Sequence, residues 1–289
     1  MRVVFTIALL SGCSQPTDPT ARKPSEDPSL DTGTMAADTG PAPLAELTDP
    51  CPIFATGDTW FTVKGVERHM LTFIPADLQP GAPVVFVWHG RTQEPSAMDR
   101  EMGLEGLAER IGAIVFAPSS LHADFDVWGF EDNDWAMVDA LRTCAVLDLD
   151  ADIRRIHTTG FSAGGYFVAR QVMFDADLFA SAILYSAGTD QELNPYQTPA
   201  WPMPVLVSWG VDGDEVTREG VFYDFPVLAL DFADHLAADA HPTVVCPHPG
   251  GHKIADEAPD IATHWFAERV FGEAFVDDLS ALPTYCAVR

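Results

Sequence analysis

Apolar residues along this chain fall into two kinds of pattern. Short runs, unbroken or alternating with polar positions, recur at residues 60–63, 68–74, 83–88, 113–117, 153–158, 181–186, 204–209 and 242–246, and each reads as a strand. Stretches with apolar positions at helical spacing fall at 96–111, 134–145, 163–174, 225–239 and 261–271. Two strands come first, followed by repeated strand–helix units. That order predicts an α/β fold with a mostly parallel sheet of about eight strands and helices on both faces. The binding edge of such a sheet is formed by the carboxyl ends of its strands. Residues 189–203 carry neither period and read as an irregular excursion over that edge.

Before residue 51 the pattern is absent. Residues 14–50 are rich in Pro, Thr, Asp, Ser and Ala, the composition of a solvated tether. Ahead of it, Met1-Arg2 gives a short basic start, residues 3–10 an apolar run too short to span a bilayer, and Leu10-Ser11-Gly12-Cys13 a small-residue site ending in cysteine. This N-terminus resembles a bacterial lipoprotein signal. The resemblance implies loss of residues 1–12, a lipid on Cys13, a flexible tether over 13–50 and a single folded domain over 51–289. Ser14 after the cysteine favours the outer membrane in a Gram-negative host. An ordinary secretory signal cut nearby is the alternative, and either one exports the protein. With Cys13 set aside, Cys51, Cys144, Cys246 and Cys286 remain. Four cysteines in an exported domain predict two disulfides, with three pairings open.

Composition narrows the partners. With 289 residues, 47% of them apolar, the chain can bury one sizeable core. A net charge of −27 argues against nucleic acid and against attraction to anionic membrane surfaces, so the lipid on Cys13 is the membrane link expected.

The chemistry centres on Gly160-Phe161-Ser162-Ala163-Gly164-Gly165, where a buried strand pattern turns into a helical one. A serine at the tip of such a turn has a cramped backbone, and glycines two residues to either side, Gly160 and Gly164, remove the collisions a side chain would make. Ser162 is the candidate nucleophile, and the amide of Ala163 at the start of the following helix suits a developing oxyanion. A serine hydroxyl needs a base, and that base needs an acid. The best-placed base is His252 in Pro249-Gly250-Gly251-His252, just past the last strand, with His248 in the same loop as its nearest rival. His69 and His157 point from strand interiors, and His122, His235, His241 and His264 have no partner pattern. For the acid, Gly210-Val211-Asp212-Gly213-Asp214-Glu215-Val216 follows the strand at 204–209. Asp212 and Asp214 both qualify; Asp214 is favoured because Val216 resembles the apolar residue that usually closes such a loop. The candidate for the second oxyanion donor is the amide of Arg91 in Trp88-His89-Gly90-Arg91, with His89 holding the loop.

Other features read as structural. No Cys or His pair has zinc spacing, no Gly-x-Gly-x-x-Gly follows the first strand, and Asp148, Asp150 and Asp152 lack the glycine and later glutamate of a calcium loop, so no cofactor or metal is implied. Trp128, Phe130 and Trp135 could line a cleft, but core packing is the default for such a cluster.

Taken together, His89-Gly90-Arg91-Thr92-Gln93, the Asp152-x-x-Arg155-Ile156 approach to the serine turn, and Gly250-Gly251-His252 resemble the polyhydroxybutyrate depolymerase and feruloyl or acetylxylan esterase branch of the α/β-hydrolases, over about residues 60–271. The resemblance implies an exported, cofactor-free serine esterase acting on carboxylic esters, small or polymer-linked, with Ser162 as nucleophile, His252 as base, and the amides of Arg91 and Ala163 as oxyanion hole. Two positions depart from that branch: the acid loop is one residue longer than the usual Gly-x-x-Asp, and Arg91 replaces a residue that is often cysteine. A serine peptidase of the same fold and a non-catalytic surface-binding lipoprotein are the alternatives.

Overall fold

The computed structural model describes residues 40–121, 128–129, 132–190, 194–275 and 279–289. Its chain order begins with a hairpin, β1 (Gly57–Val63) and β2 (Val66–Phe73), followed by β3 (Val84–Trp88), α1 (Pro95–Met102), α2 (Leu104–Ile111), β4 (Ile114–Pro118) and α3 (Asp132–Leu149). Then come β5 (Ile156–Phe161), α4 (Ala163–Phe174), β6 (Ser181–Tyr185), β7 (Val205–Gly210) and a second hairpin, β8 (Glu215–Arg218) with β9 (Val221–Asp224). The last elements are α5 (Phe225–Ala238), β10 (Thr243–His248), α6 (Ala258–Ala267) and β11 (Ala287–Val288).

Among the described residues, nine strands form one sheet in the order β1-β2-β4-β3-β5-β6-β7-β10-β11. From β4 to β10 every pairing is parallel, while β1, β2 and β11 add antiparallel edges. The central strands are buried on both faces, and this explains their unbroken apolar sequences. Within β3, Val84, Phe86 and Trp88 face a core shared with α3, α4 and α5, while Val85 and Val87 face a second core shared with α1, α2 and α6. Helices therefore cover both faces. Strand β3 has β4 on one side and β5 on the other, so the order of connection reverses there. The carboxyl ends of β3 and β5 flank the crevice such a reversal opens.

The structure corrects several element boundaries. The helix expected over 96–111 is two helices, because Gly103 takes a left-handed conformation at φ 61° and Asp99 Oδ1 accepts the Leu104 amide at 3.1 Å. The strand expected from residue 153 begins at Ile156, since Asp152 folds the preceding residues into a turn by accepting the Arg154 amide on Oδ1 at 2.8 Å. Hairpin β8–β9 and the short β11 were not anticipated. Residues 42–45, placed in the tether by composition, dock on the domain: Ala42 N donates to Asp177 O at 2.9 Å, Ala45 N to Thr143 Oγ1 at 3.1 Å, and the Arg142 guanidinium to the carbonyls of Ala42 and Pro43. Two disulfides join Cys51 to Cys144 and Cys246 to Cys286. Cys13, His122 and Phe130 lie outside the described residues. No helix among the described residues is long and apolar enough to cross a membrane.

Candidate active site

Ser162 sits between β5 and α4 with φ 53° and ψ −117°, a conformation that costs a non-glycine residue about 1–3 kcal/mol. The flanking glycines make it attainable. A Cβ on Gly160 would lie 2.5 Å from the Gly164 carbonyl, and one on Gly164 would lie 2.7 Å from His89 O and overlap the carbonyl of Trp88. The turn is pinned from outside as well, by Ser162 N donating to Tyr185 O at 2.9 Å.

Three candidate residues meet at this edge. Ser162 Oγ stands 3.0 Å from His252 Nε2, and His252 Nδ1 stands 2.7 Å from Asp214 Oδ1. Asp214 is fully buried, and its other oxygen accepts hydrogen bonds from Ser186 Oγ at 2.8 Å and Gly210 N at 2.9 Å. A buried carboxylate needs such donors. Asp212 faces solvent at the same loop, and its amide donates to Gly250 O at 3.0 Å. That contact brings the acid loop against the histidine loop, and Gly210 allows it, because a Cβ there would overlap the carbonyls of Gly250 and Gly251. Val216, the residue that favoured Asp214 in the sequence, lies on β8 opposite Tyr223 instead of closing the loop.

The imidazole of His252 packs against two rings, stacked on Phe225 at 4.4 Å and tilted against Phe161 at 4.8 Å between centroids. Such packing restricts its rotation and leaves Nε2 directed at Ser162. His248 stays buried within its own loop, its Nδ1 3.4 Å from Pro249 O. His157 is buried beside Ser181, with Nδ1 2.9 Å from Ser181 Oγ, and burial pulls its pKa down to about 3, with Arg155 and Arg269 adding to the effect. His69 joins Asp58 and Ser119 on the sheet edge.

On the other side of Ser162, the loop after β3 is closed by Gln93, whose side-chain oxygen accepts the Gly90 amide at 2.9 Å while its backbone N–H donates to Gly90 O at 3.1 Å. His89 is buried; its Nε2 accepts the Ser120 amide at 3.1 Å, so its Nδ1 carries the proton donated to Gly90 O at 2.8 Å. Arg91 follows in this loop, with its guanidinium on Glu219 at 2.8 Å. Ala163 opens helix α4, where an amide has no acceptor within the helix. Trp128 is core: it packs on Trp88 and donates to His89 O. Among the described residues, no group of three His, Cys, Asp or Glu is placed to hold a metal ion.

Sequence reasoning missed Ser186, Phe225 and the hairpin. Ser186 carried one faint signal, a small polar residue ending a strand next to the strand of the acid. Phe225 carried none, since an aromatic at a helix start reads as core.

No family model matches the chain. A bifunctional acetylxylan esterase/xylanase of Neocallimastix patriciarum is 27% identical over 108 residues, 36% of this chain, and the alignment spans only 16% of that relative. Among solved structures, native sOPH superposes with a TM-score of 0.70 at 19% identity, covering 83% of this chain and 96% of its own. The S-formylglutathione hydrolase FrmB of Staphylococcus aureus does so with a TM-score of 0.57 at 16% identity, covering 74% and 99%. At these identities the likeness is one of architecture: the chain has the α/β-hydrolase fold.

Proposed function

We propose that this protein hydrolyses carboxylic esters through an acyl-enzyme on Ser162. One observation carries the reading: the unbroken line of contacts from Ser162 Oγ through His252 to buried Asp214, at 3.0 and 2.7 Å. In the first half-reaction Ser162 Oγ attacks the ester carbonyl carbon and its proton passes to His252 Nε2. Asp214 keeps the imidazole oriented and stabilises the imidazolium. The carbonyl oxygen becomes an oxyanion in reach of the amides of Arg91 and Ala163. Collapse breaks the C–O bond, and the alcohol leaves with the proton from His252. Water, deprotonated by the same nitrogen, then releases the acid and restores the hydroxyl.

The names of the relatives, an acetylxylan esterase and a formylglutathione hydrolase, agree with ester-type substrates. Export is supported by the two disulfides, which persist in oxidising compartments, and anchoring through Cys13 remains part of the proposal. The test is hydrolysis of a panel of p-nitrophenyl and hydroxycinnamoyl methyl esters by the purified protein, beside Ser162→Ala, with fluorophosphonate labelling in parallel. Short esters should turn over, and the alanine variant should lose at least roughly 10⁴-fold in kcat and all labelling. Folded wild-type protein that neither turns over an ester nor takes the label sinks the proposal.

A further inference from the structure

Between Asp214 and α5 the chain makes the β8–β9 hairpin, a two-stranded sheet that, among the described residues, is separate from the main one. Its roots are fixed at the site. Asp214 directly precedes β8, and Phe225 directly follows β9 and stacks on His252. Tyr223 of β9 meets Tyr166, one helical turn beyond Ser162, at 6.5 Å between ring centroids. The tip reaches the opposite loop, where Glu219 Oε1 accepts from Arg91 Nη2 at 2.8 Å. The hairpin thus runs from the acid loop, past the helix that follows Ser162, to the loop that carries Arg91.

The chemistry of the tip is unusual for a turn. Arg218 pairs with Val221, leaving Glu219 and Gly220 as a two-residue connection with φ of 52° and 85°. A turn with both central residues in the left-handed region favours Asn-Gly or Asp-Gly, whose short side chains bond locally; glutamate has no such advantage there. Its longer side chain is what spans to Arg91. Thr92, beside Arg91, also has a positive φ of 60°. A locally disfavoured residue at one end of the ion pair, Glu219, and another next to its other end, Thr92, fit a contact kept for function and not for turn stability. Glu219 is 69% exposed and Arg91 29%, so the pair is weak and open to screening by salt.

We propose that Glu219 is a specificity-determining residue: its ion pair with Arg91 clasps the hairpin over Ser162, so that bulky esters must open the clasp and small ones pass it. This rests on Ser162 being the nucleophile. Glu219→Asn keeps a side chain the turn prefers and removes the clasp. In that variant KM for p-nitrophenyl decanoate should fall about two- to fivefold while p-nitrophenyl acetate is unchanged, and raising salt to roughly 0.5 M should shift wild type the same way but leave the variant unmoved. Hydrogen exchange at residues 216–223 should quicken by a similar factor in the variant, a readout that needs no turnover. Equal shifts for decanoate and acetate, a salt response that survives in Glu219→Asn, or unchanged exchange overturns the clasp. Quickened exchange in a protein whose wild type hydrolyses no ester overturns the reading of Ser162, and the specificity role with it.

Discussion

Asp212 and Asp214 stand two residues apart in one loop, yet of the two only Asp214 is withdrawn from water and hydrogen-bonded by Ser186, just past β6, and by Gly210 at the end of β7. The sequence brings the candidate acid down to this pair and no further, because the deciding contacts come from Ser186, 28 residues away just past β6, and from the fold of the β7 end. Asp214→Asn should lower kcat on p-nitrophenyl acetate by roughly 10⁴-fold, since an amide neither fixes the tautomer nor balances the imidazolium. Asp212→Asn should stay within about twofold of wild type in the same assay. A second residue-scale expectation concerns His157. Its folded pKa of about 3 lies below the ordinary value of 6.5, so the unfolded chain binds the extra proton first as pH falls. His157 therefore costs stability progressively between about pH 6.5 and pH 3, at up to about 1.4 kcal/mol per pH unit. Urea unfolding of wild type and His157→Phe at pH 7 and 5 should show the acid loss reduced in the variant; parallel losses would mean that another group dominates acid sensitivity.

At the scale of elements, what the sequence made legible is what repeats locally. All eight expected strands lie in the main sheet, because each is an apolar run long enough to cross it. The hairpin escaped notice because Glu215–Arg218 and Val221–Asp224 are only four residues each, and only partly buried. The two-residue β11 has no period to read. The helical pattern reads straight through Gly103 because an isolated glycine within it is tolerated at modest cost, and only its left-handed φ reveals a break. The break and the serine turn use glycine for different reasons, and substitution separates them. A Cβ on Gly103 meets nothing within 4 Å, so Gly103→Ala should cost only the strain of a left-handed alanine, about 1–2 kcal/mol by urea unfolding, with kcat unchanged. Gly164→Ala drives a methyl into the backbone of Trp88, at the end of β3, and of His89 just past it, so it should displace the serine turn and lose activity even where the protein still folds. Equal losses of stability and full activity in both variants would contradict the close approach of α4 to β3.

Across the whole molecule, the parallel strands are held by pairing and two cores, whereas the segments at either end of the domain are held by cross-links. Cys51 lies in the irregular chain before β1 and is tied to α3 through Cys144, beside the docking of residues 42–45 on Thr143 and Arg142. Cys286, next to β11, is tied to the buried Cys246 of β10. Four cysteines in the sequence imply two bridges, but the pairing depends on which strands neighbour which. The bridges close loops with sequence separations of 93 and 40 residues. Restricting the unfolded chain in this way contributes roughly 4 kcal/mol for each, slightly more for the longer loop, in the chain-entropy account. Cys51→Ala with Cys144→Ala should therefore lower stability by a few kcal/mol while leaving kcat at 25 °C intact, because neither residue touches Ser162, His252 or Asp214. Wild type unfolded in the presence of a reductant should lose more than this double variant does, since it gives up both loops. A urea midpoint that does not move on reduction would show that these pairings do not form.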